Sequence, residues 1–259
     1  MYSKFAGVAF AAIVISAATP AIAGGFDGRS VPEGTVVSGG SSPWYFGAML
    51  GAPFSGDVEA DLSNTFGSEA DAVIDYDFDS AYLAKLQLGY YFAPSWRIEA
   101  NLSWGEAYGP DFNFKQVSPT NLLQGNEPGL GTLEGWSMHG VVIHDFDKLG
   151  LRAMNTPIVP YLGLGLGFKE MKANNLRTAN QTFFVIDDSD TAFSVNWVAG
   201  FDVPVSENIS LTARYNGTYE SGFDFQGSRD GGTQYVSSED AVTHAILGGL
   251  KVNFGAFSR

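Results

Sequence analysis

The sequence contains no cysteine among its 259 residues, which excludes both disulfides and a lipoprotein attachment site. Basic residues are also scarce, because 14 Lys and Arg stand against 28 Asp and Glu, a formal net charge of -14. A chain with this imbalance does not attract nucleic acid or another polyanion by charge alone, so we expect no nucleic-acid partner. No motif with the spacing of a cofactor site is present, and we expect no cofactor.

Long hydrophobic runs are missing as well, since no stretch reaches the roughly 20 apolar residues that a membrane-spanning helix needs. The apolar segment from Phe5 to Ala18 is shorter. It follows Lys4 and precedes the small-x-small triplet Ala21-Ile22-Ala23. This order is typical of a secretory signal peptide. We therefore predict three parts: a cleaved signal at 1–23, a flexible periplasmic arm at 24–42 and one folded domain at 43–259.

Aromatic residues and glycine are abundant instead, at 14% of the chain and at 32 positions, respectively. Between Trp96 and Trp104 every even position is apolar or aromatic, and every odd position is polar or charged. Successive side chains of a β-strand point to opposite faces, so such a segment has one face for hydrocarbon and one for a polar interior. The pattern indicates a sheet with lipid on its outer side.

The same alternation recurs, with varying clarity, in eight segments. They are about 43–51, 82–92, 96–104, 133–144, 158–168, 191–203, 208–219 and 241–254. Long and short connections alternate between them, as in outer-membrane barrels with long outer loops and short periplasmic turns. The sequence therefore predicts an all-β protein, a monomeric eight-stranded antiparallel up-and-down transmembrane β-barrel with both termini on the periplasmic side.

The fourth and the last of these segments carry specific expectations. His144 falls on the apolar face of 133–144, so we allow a bulge or a shifted register there. The last segment puts Gly249, Val252 and Phe254 where a bacterial outer-membrane insertion signal would have them, which implies recognition by the barrel-assembly machinery. Five more residues follow, and Phe257 among them is an alternative end of this signal.

Several motifs resemble a known family. They are the opening Trp44-Tyr45-Phe46-Gly47, the segment from Asp77 to Tyr90, the turn Asp145-Phe146-Asp147 and the glycine repeat from Pro160 to Gly167. In this order they are similar to the small eight-stranded outer-membrane barrels of Gram-negative bacteria, such as the transmembrane domain of the OmpA type and the porin-family or opacity-like surface antigens of alphaproteobacteria. The resemblance covers nearly the whole mature chain. It implies an outer-membrane location and contact with outer-membrane lipid and lipopolysaccharide. No peptidoglycan-binding domain follows the barrel in this sequence, so we expect no wall-anchoring role.

Six charged residues share the inward parity of their strands. They are Lys85, Arg97, Glu99, Asp202, Arg214 and Lys251. The interior of an eight-stranded barrel is just wide enough for side chains, and a buried unpaired charge is strongly destabilising. We therefore predict that these residues pair as an ion network that plugs the lumen. The alternative is a narrow, switchable channel for small solutes or cations, because a wide diffusion pore needs about 16 strands or more.

Two other patterns suggest chemistry, but each has a simpler structural explanation. Three glycines spaced by two share the interior face of one strand, where they make room in a narrow lumen. They are Gly163, Gly165 and Gly167. Ser137 and His139, with Glu99 on the neighbouring strand, can be drawn as the catalytic set of an enzyme that modifies lipid A. Their parity directs them inward, whereas such an enzyme needs them at its lipid-facing side. We predict no catalytic residue.

The first outer loop is unusually acidic, with no Lys or Arg between Gly51 and Asp79. Asp75, Asp77 and Asp79 share one face of the second strand, and oxygen-rich clusters can hold Ca²⁺ or Mg²⁺. No fixed ligand spacing such as that of an EF-hand is present. These three residues are metal-ligand candidates beside the simpler explanation, which is solvation of an exposed loop.

The second and fourth outer loops carry aromatic residues. They are Phe112, Phe114, Phe223, Phe225 and Tyr235. Such rings either pack on one another, which we favour, or contact an extracellular partner. Together with a plugged lumen, they favour a structural or surface-interaction role, like that of an adhesin or surface antigen, over catalysis.

Overall fold

The computed structural model describes residues 42–54, 58–64, 72–116, 125–153, 156–179, 184–229, 232–238 and 240–254. The export signal and all but the last residue of the N-terminal arm lie outside these ranges, so both remain predictions, as does the domain boundary at residue 43. Phe257, the alternative end of the insertion signal, also lies outside the described residues.

Nearly all of the described chain is β-strand. The strands are β1 (Trp44–Pro53), β2 (Val58–Asn64), β3 (Ala72–Ala93), β4 (Trp96–Gln116), β5 (Gly125–Asp145), β6 (Arg152–Ala153), β7 (Thr156–Pro157), β8 (Val159–Thr178), β9 (Phe184–Pro204), β10 (Ile209–Glu220), β11 (Asp224–Arg229), β12 (Gly232–Ser238) and β13 (Ala241–Asn253). A 3₁₀ helix, Asp147–Leu149, follows β5. Within the described ranges, no helix is long and apolar enough to cross a membrane.

Eight of these strands form a closed antiparallel ring, in the order β1, β13, β10, β9, β8, β5, β4 and β3. β1 closes the ring because it has a partner on each side. Tyr45 lies opposite Asn253 of β13 and opposite Gly89 of β3. The predicted fold class, an eight-stranded antiparallel up-and-down barrel, is confirmed.

Strand alternation determines which side chains face outward. In β4, Arg97 and Glu99 are buried, whereas Ile98 and Leu102 are exposed. The same division along the other ring strands gives an apolar outer belt. Its members include Leu50, Leu86, Leu88, Met138, Val142, Leu162, Leu164, Leu166, Ile246 and Leu250. Soluble monomers rarely expose a continuous apolar surface of this extent, so the belt is suited to hydrocarbon.

Aromatic side chains border the belt at both of its edges. One edge lies at the end of the ring with the short turns at 94–95 and 205–208, which we call the turn end. There the ring centroids of Trp96 and His144 lie 4.5 Å apart. The other edge lies at the opposite, or loop, end, where Trp136 packs edge-on against Phe168 with ring centroids 5.4 Å apart. Two aromatic levels with aliphatic side chains between them match the two interfaces of a bilayer.

His144 belongs to this border and does not mark a bulge. The pairing of β4 with β5 has no shift from Trp96 opposite His144 to Tyr108 opposite Thr132. The irregularity of β5 lies at Gly131, whose φ of 107° is in the left-handed region that favours glycine. A bulge within 133–144 is therefore the wrong explanation. His144 faces outward because its ring packs against the aromatic side chains of the border.

Five ring strands continue well beyond the aromatic border at the loop end. β3, β4, β5, β8 and β9 have 20 to 22 residues, whereas the neighbouring strands β1, β10 and β13 have only 10 to 13. Three further strands replace the short ones: β11 pairs with β9, β12 with β11, and β2 with both β12 and β3. The ring thus closes a second time. We call this part the loop-end extension: β2, β11, β12 and the outer parts of the five long strands.

The predicted strands end near the aromatic border, so the prediction that the residues beyond it form loops is wrong. At the level where the three short strands stop, side chains take over part of the hydrogen bonding between strands. Asp190 Oδ2 accepts from the backbone N–H of Asp224, and Asp188 Oδ2 accepts from that of Gln226, both at 2.8 Å. The two rings are therefore connected through polar side chains as well as through the strands that run through both.

The three repeat glycines face the interior and leave no room for a side chain. A Cβ added to Gly163 would lie 2.6 Å from Ile143 Cγ1, and one added to Gly165 would lie 2.7 Å from Val141 Cγ2. Val141 and Ile143 form a buried cluster with Tyr161 and Val198. The glycines of β8 therefore allow the side chains of β5 to fill this part of the lumen.

Candidate functional site

A layer of charged side chains lies in the interior of the ring at the turn end. Arg97 Nη1 donates to Asp202 Oδ2 at 3.0 Å, and Arg97 Nη2 lies 3.3 Å from Asp145 Oδ1. Lys251 Nζ donates to the same oxygen of Asp202 at 2.5 Å. All four residues are buried, because β4, β5, β9 and β13 direct these positions inward. Two cations and two carboxylates are thus matched in this layer.

A second ion pair follows toward the loop end. Arg214 Nη1 and Nη2 donate to Glu99 Oε2 and Oε1 at 2.8 and 2.9 Å, and the Tyr45 hydroxyl donates to Glu99 Oε1 at 2.5 Å. Arg214 is on β10 and Glu99 is on β4, which lie on opposite sides of the ring. Bidentate, charge-assisted pairs are among the strongest side-chain contacts. This bridge therefore ties the two walls together across the full width of the lumen.

A tyrosine ring separates the two guanidinium groups. The centroid of the Tyr161 ring lies 4.7 Å from Arg97 Cζ and 5.2 Å from Arg214 Cζ. The Tyr161 hydroxyl also accepts a hydrogen bond from Arg214 Nε at 3.1 Å. Guanidinium groups are attracted to aromatic faces, most strongly when both are desolvated. Tyr161 thus stabilises two like charges that share one narrow space.

The middle of the lumen is polar, but its contacts are mostly uncharged. Lys85 Nζ donates to Asn216 Oδ1 at 3.0 Å, and His139 Nε2 lies 2.7 Å from Ser194 Oγ. Both polar side-chain atoms of Asn101 are buried without a hydrogen-bond partner in the described structure. In contrast to the charged layers on either side of it, this layer has no ion pair among the described side chains.

A third ion pair ends the charged part of the lumen. Lys169 Nζ lies 2.7 and 2.8 Å from the two carboxylate oxygens of Glu220, and Thr243 Oγ1 donates to Glu220 Oε1 at 3.0 Å. Among the described side chains, the buried ones beyond this pair are apolar. They are Ala173, Leu176, Ile186, Phe223 and Phe225. The charged interior thus stops near the outer aromatic border.

A closed ring of this size, with an apolar outside and a charged inside, agrees with a match to one family of proteins. The model of that family, the outer membrane protein beta-barrel domain, matches residues 9–254. The chain belongs to this outer-membrane β-barrel family. No curated protein matches it significantly.

Solved structures with a similar fold include three outer-membrane proteins. OprG from Pseudomonas aeruginosa is 16% identical over 83% of this chain and 97% of its own, with a TM-score of 0.51. Neisserial surface protein A is 16% identical over 82% and 98%, with a TM-score of 0.43. The attachment invasion locus protein Ail of Yersinia pestis is 13% identical over 82% and 99%, with a TM-score of 0.31. At such identities the likeness concerns the fold alone.

Family membership puts this β-barrel in the outer membrane of a Gram-negative bacterium, as predicted, with its apolar belt in the hydrocarbon. Barrels of this class have short turns on the periplasmic side and their larger connections outside. The turn end therefore faces the periplasm, and the loop-end extension faces the exterior.

The outer-membrane barrel brings five of the six predicted network residues into direct contact. They are Arg97, Glu99, Asp202, Arg214 and Lys251. Lys85 faces the same lumen but contacts Asn216, an uncharged residue. Alternation along each strand was enough to predict that these residues face the lumen. It does not predict which residues form ion pairs, because contacts across a ring depend on strand order and stagger.

Six residues of the charged interior were missed. They are Tyr45, Tyr91, Asp145, Tyr161, Lys169 and Glu220. Lys169 lies two positions beyond Gly167, which is predicted to face inward, and Glu220 lies six positions beyond Arg214, a predicted lumen residue. The same alternation, extended past the ends of the predicted segments, identifies both. Tyr45 and Tyr161 have inward parity too, but tyrosine near a strand end also suggests a membrane interface.

The Ser137 and His139 set does not assemble in the described structure. His139 contacts Ser194 of β9 instead, and Ser194 is fully buried. His139 Nδ1, which a carboxylate would have to orient in a catalytic set, has no hydrogen-bond partner there. The contact between His139 and Ser194 is one between two interior side chains, and it connects β5 with β9.

The other predicted sites have less structural detail. Gly249 and Val252 lie in β13, with Phe254 directly after it, and Gly249 pairs with Met49 of β1. Asp75, Asp77 and Asp79 lie in β3, but their side chains are outside the described structure. Among the described residues, no group of three or more His, Asp or Glu is arranged to hold a metal ion.

Proposed function

We propose that this outer-membrane barrel is a surface-interaction protein with a closed lumen, in which the ion pairs support the wall and the loop-end extension carries the binding surface. The observation that carries the proposal is the bridge between Glu99 and Arg214. A bidentate pair at 2.8 and 2.9 Å between opposite strands occupies the lumen where an ion would have to pass. The layer of Arg97, Asp202 and Lys251 lies directly behind it.

The loop-end extension supports the second half of the proposal. Its strands are paired on both sides, so it is a fixed platform with no free strand edge among the described strands. Among the described exposed charged side chains at this end, Asp187 and Asp224 in the extension and Asp240 directly after β12 are acidic, and only Lys172 of β8 is basic. We infer a partner with a basic surface, because an acidic platform attracts basic partners and repels acidic ones.

Single-channel recording tests whether the lumen is closed. The refolded barrel in a planar bilayer is expected to give no unitary current steps, and the same holds for Glu170→Ala, a control that removes an outward-facing carboxylate. Glu99→Ala removes the bridge and is the matched variant. Steady steps in the unchanged protein, altered by Glu99→Ala but not by Glu170→Ala, would refute a closed lumen.

Excision of the hairpin tests the binding surface. Residues 224–238 are replaced by a short turn, and cells that display the full chain or the shortened one are compared for attachment to a polylysine-coated and to a polyanion-coated surface. Attachment to polylysine is expected for the full chain and is expected to fall for the shortened chain. The shortened barrel must still migrate as a folded species in unheated gels. Equal attachment by both would exclude this surface.

A narrow channel is the second candidate. It is favoured by the polar middle of the lumen, where Asn101 and His139 have polar atoms without a hydrogen-bond partner in the described structure. Polar groups that line a pore can contact a permeating ion. The conductance experiment separates the two candidates directly, since a channel predicts steps and a closed support predicts silence.

The remaining proposals concern catalysis and partners. We propose that no residue is catalytic, which predicts that His139→Ala leaves the mass spectrum of lipid A unchanged in the producing cells. We further propose that the belt contacts outer-membrane lipid and lipopolysaccharide. Binding of Ca²⁺ or Mg²⁺ by Asp75, Asp77 and Asp79 stays a hypothesis. Calorimetric titration of the refolded barrel without heat at millimolar ion would exclude it.

A further inference from the structure

Among the described side chains, the charges buried in the lumen do not match in number. Outside the pair of Lys169 and Glu220, the buried and described cations are Lys85, Arg97, Arg214 and Lys251, and the buried carboxylates are Glu99, Asp145 and Asp202. Four cations therefore face three carboxylates. Transfer of an uncompensated charge from water into a protein interior is strongly unfavourable, so a surplus lysine either binds a compensating anion or loses its proton. Only the first alternative makes stability depend on halide.

The surplus is located on Lys85. Its side chain is 1% exposed, and among the described side chains no carboxylate lies within the 4.0 Å of an ion pair. Its one described hydrogen bond goes to Asn216 Oδ1 at 3.0 Å. An ammonium group has three donors, so two of them remain available. The three carboxylates are already engaged by Arg97, Arg214 and Lys251.

Polar groups without a hydrogen-bond partner in the described structure lie on the inward faces of β4 and β5, close in register to Lys85. Lys85 lies opposite Ser103 of β4, and Asn101 is the next inward residue of that strand. Asn101 lies opposite His139 of β5. Asn101 Nδ2 and Oδ1 and His139 Nδ1 are all buried without a hydrogen-bond partner in the described structure. Buried groups of this kind are usually satisfied by an ordered water or an ion.

We propose that the middle of the lumen binds one small monovalent anion, held by Lys85 Nζ and Asn101 Nδ2. A bound anion neutralises the surplus cation and satisfies a donor of Asn101, whereas a water satisfies the donor and leaves the charge. The narrow interior of an eight-stranded barrel limits the anion to about the size of a halide. This site is independent of the proposed surface function, since it lies between the ion pairs and not in the loop-end extension.

Halide-dependent stability is the test. The barrel is refolded and then unfolded by urea in chloride, in bromide and in gluconate at equal ionic strength, since the site is sealed from solvent in the folded state. The protein is expected to be more stable in either halide than in gluconate, which is too large for the lumen. Above its dissociation constant, each tenfold rise in halide raises the folding equilibrium constant about tenfold.

Two lysine variants distinguish the site from general screening. Lys85→Met is expected to lose the halide effect and to be as stable in gluconate as in chloride. Lys172→Met removes an exposed lysine of β8 and is expected to keep the effect. Asn101→Ala, which leaves the charge in place, is expected to weaken halide dependence and not abolish it. The proposal is overturned if the unchanged protein shows no halide effect, or if Lys85→Met retains it.

Discussion

The membrane belt and the loop-end extension differ in which side of the wall carries apolar side chains. Within the membrane belt the outward side chains are apolar, and the interior holds charged pairs, as with Ile98 outside and Glu99 inside on one strand. In the loop-end extension the described pattern reverses. Phe223 and Phe225 are buried and stack with ring centroids 6.0 Å apart, while Asp224 between them is exposed. The polarity of the wall is inverted along a single sheet.

This difference shows that the surrounding solvent, and not the backbone, determines which face of the sheet carries polar side chains. Hydrogen bonding between strands is the same in both parts, but hydrocarbon surrounds one and water surrounds the other. Facing the interior removes an apolar side chain from the surrounding solvent, and this adds most stability where that solvent is water. Within the belt, cohesion of the interior comes from paired charges and tyrosine contacts beside small apolar clusters around Val141 and Leu247. The ion pairs are strong when complete and destabilising when one partner is missing.

The largest effect is expected from breaking the bridge in the belt. Arg214→Met leaves Glu99 buried without its bidentate partner and is predicted to lower the free energy of unfolding by about 3 to 5 kcal/mol. Urea unfolding of the barrel in vesicles measures this. The double variant Glu99→Leu with Arg214→Met removes both charges and is predicted to regain most of the loss. A double variant as unstable as the single one would contradict the role of charge.

A smaller and more local effect is expected in the loop-end extension. Phe223→Ala removes half of the stacked pair and is predicted to destabilise the extension by about 3 kcal/mol, the low end for loss of a buried phenylalanine. Limited proteolysis should cut this part while the membrane belt stays intact. Tyr235→Ala, at an exposed position of β12, is the control and should leave the digestion pattern unchanged. Simultaneous loss of both parts would mean that they unfold as one unit.

The glycines offer a matched pair within the belt. Gly165→Ala adds a Cβ that would lie 2.7 Å from Val141 Cγ2 in the interior, so overpacking is predicted to lower stability by about 1 to 3 kcal/mol. Gly140→Ala adds the same atom on the lipid side, where nothing lies within 4 Å. It should be neutral in the same urea titration. Equal effects of the two variants would show that lack of interior space is not the reason for glycine at position 165.

The smallest change in stability is expected at the end of β13. Phe254 is partly exposed at the turn end, so Phe254→Ala should alter the free energy of unfolding by about 0.5 kcal/mol or less. Assembly in cells should nevertheless slow, if Phe254 is the residue that the barrel-assembly machinery recognises. Pulse-chase of the folded gel species measures the rate. Slower assembly of Phe257→Ala, with normal assembly of Phe254→Ala, would move the signal to the later aromatic residue.

The inverted wall also explains what the sequence could and could not predict. Alternation with apolar residues outward identified the strands of the belt, because β4 from Trp96 to Trp104 follows it without exception. The same rule fails beyond the border, where Phe223 and Phe225 are the inward residues. A rule that expects apolar residues outside interprets such a segment as a loop with exposed aromatic rings, and so it missed β2, β11 and β12.

The sequence predicts which charged residues face the lumen, but not which of them form ion pairs. Parity alone put Arg97, Glu99 and Arg214 in the lumen. That Arg214 reaches Glu99 across the ring, while Lys85 reaches only Asn216, depends on stagger between strands that are far apart in sequence. Periodicity within one strand contains no information about that stagger.

The pairing of β1 with β13 has a consequence for the making of this protein. Nearly the whole length of the domain separates the two strands in sequence, so their contact order is as high as a single sheet allows. Until the last strand arrives, β1 and the growing end both present unpaired backbone groups, the kind of edge that promotes aggregation. A chaperone that shields the exported chain until β13 is available is therefore expected to matter more for its yield than the final stability of the barrel.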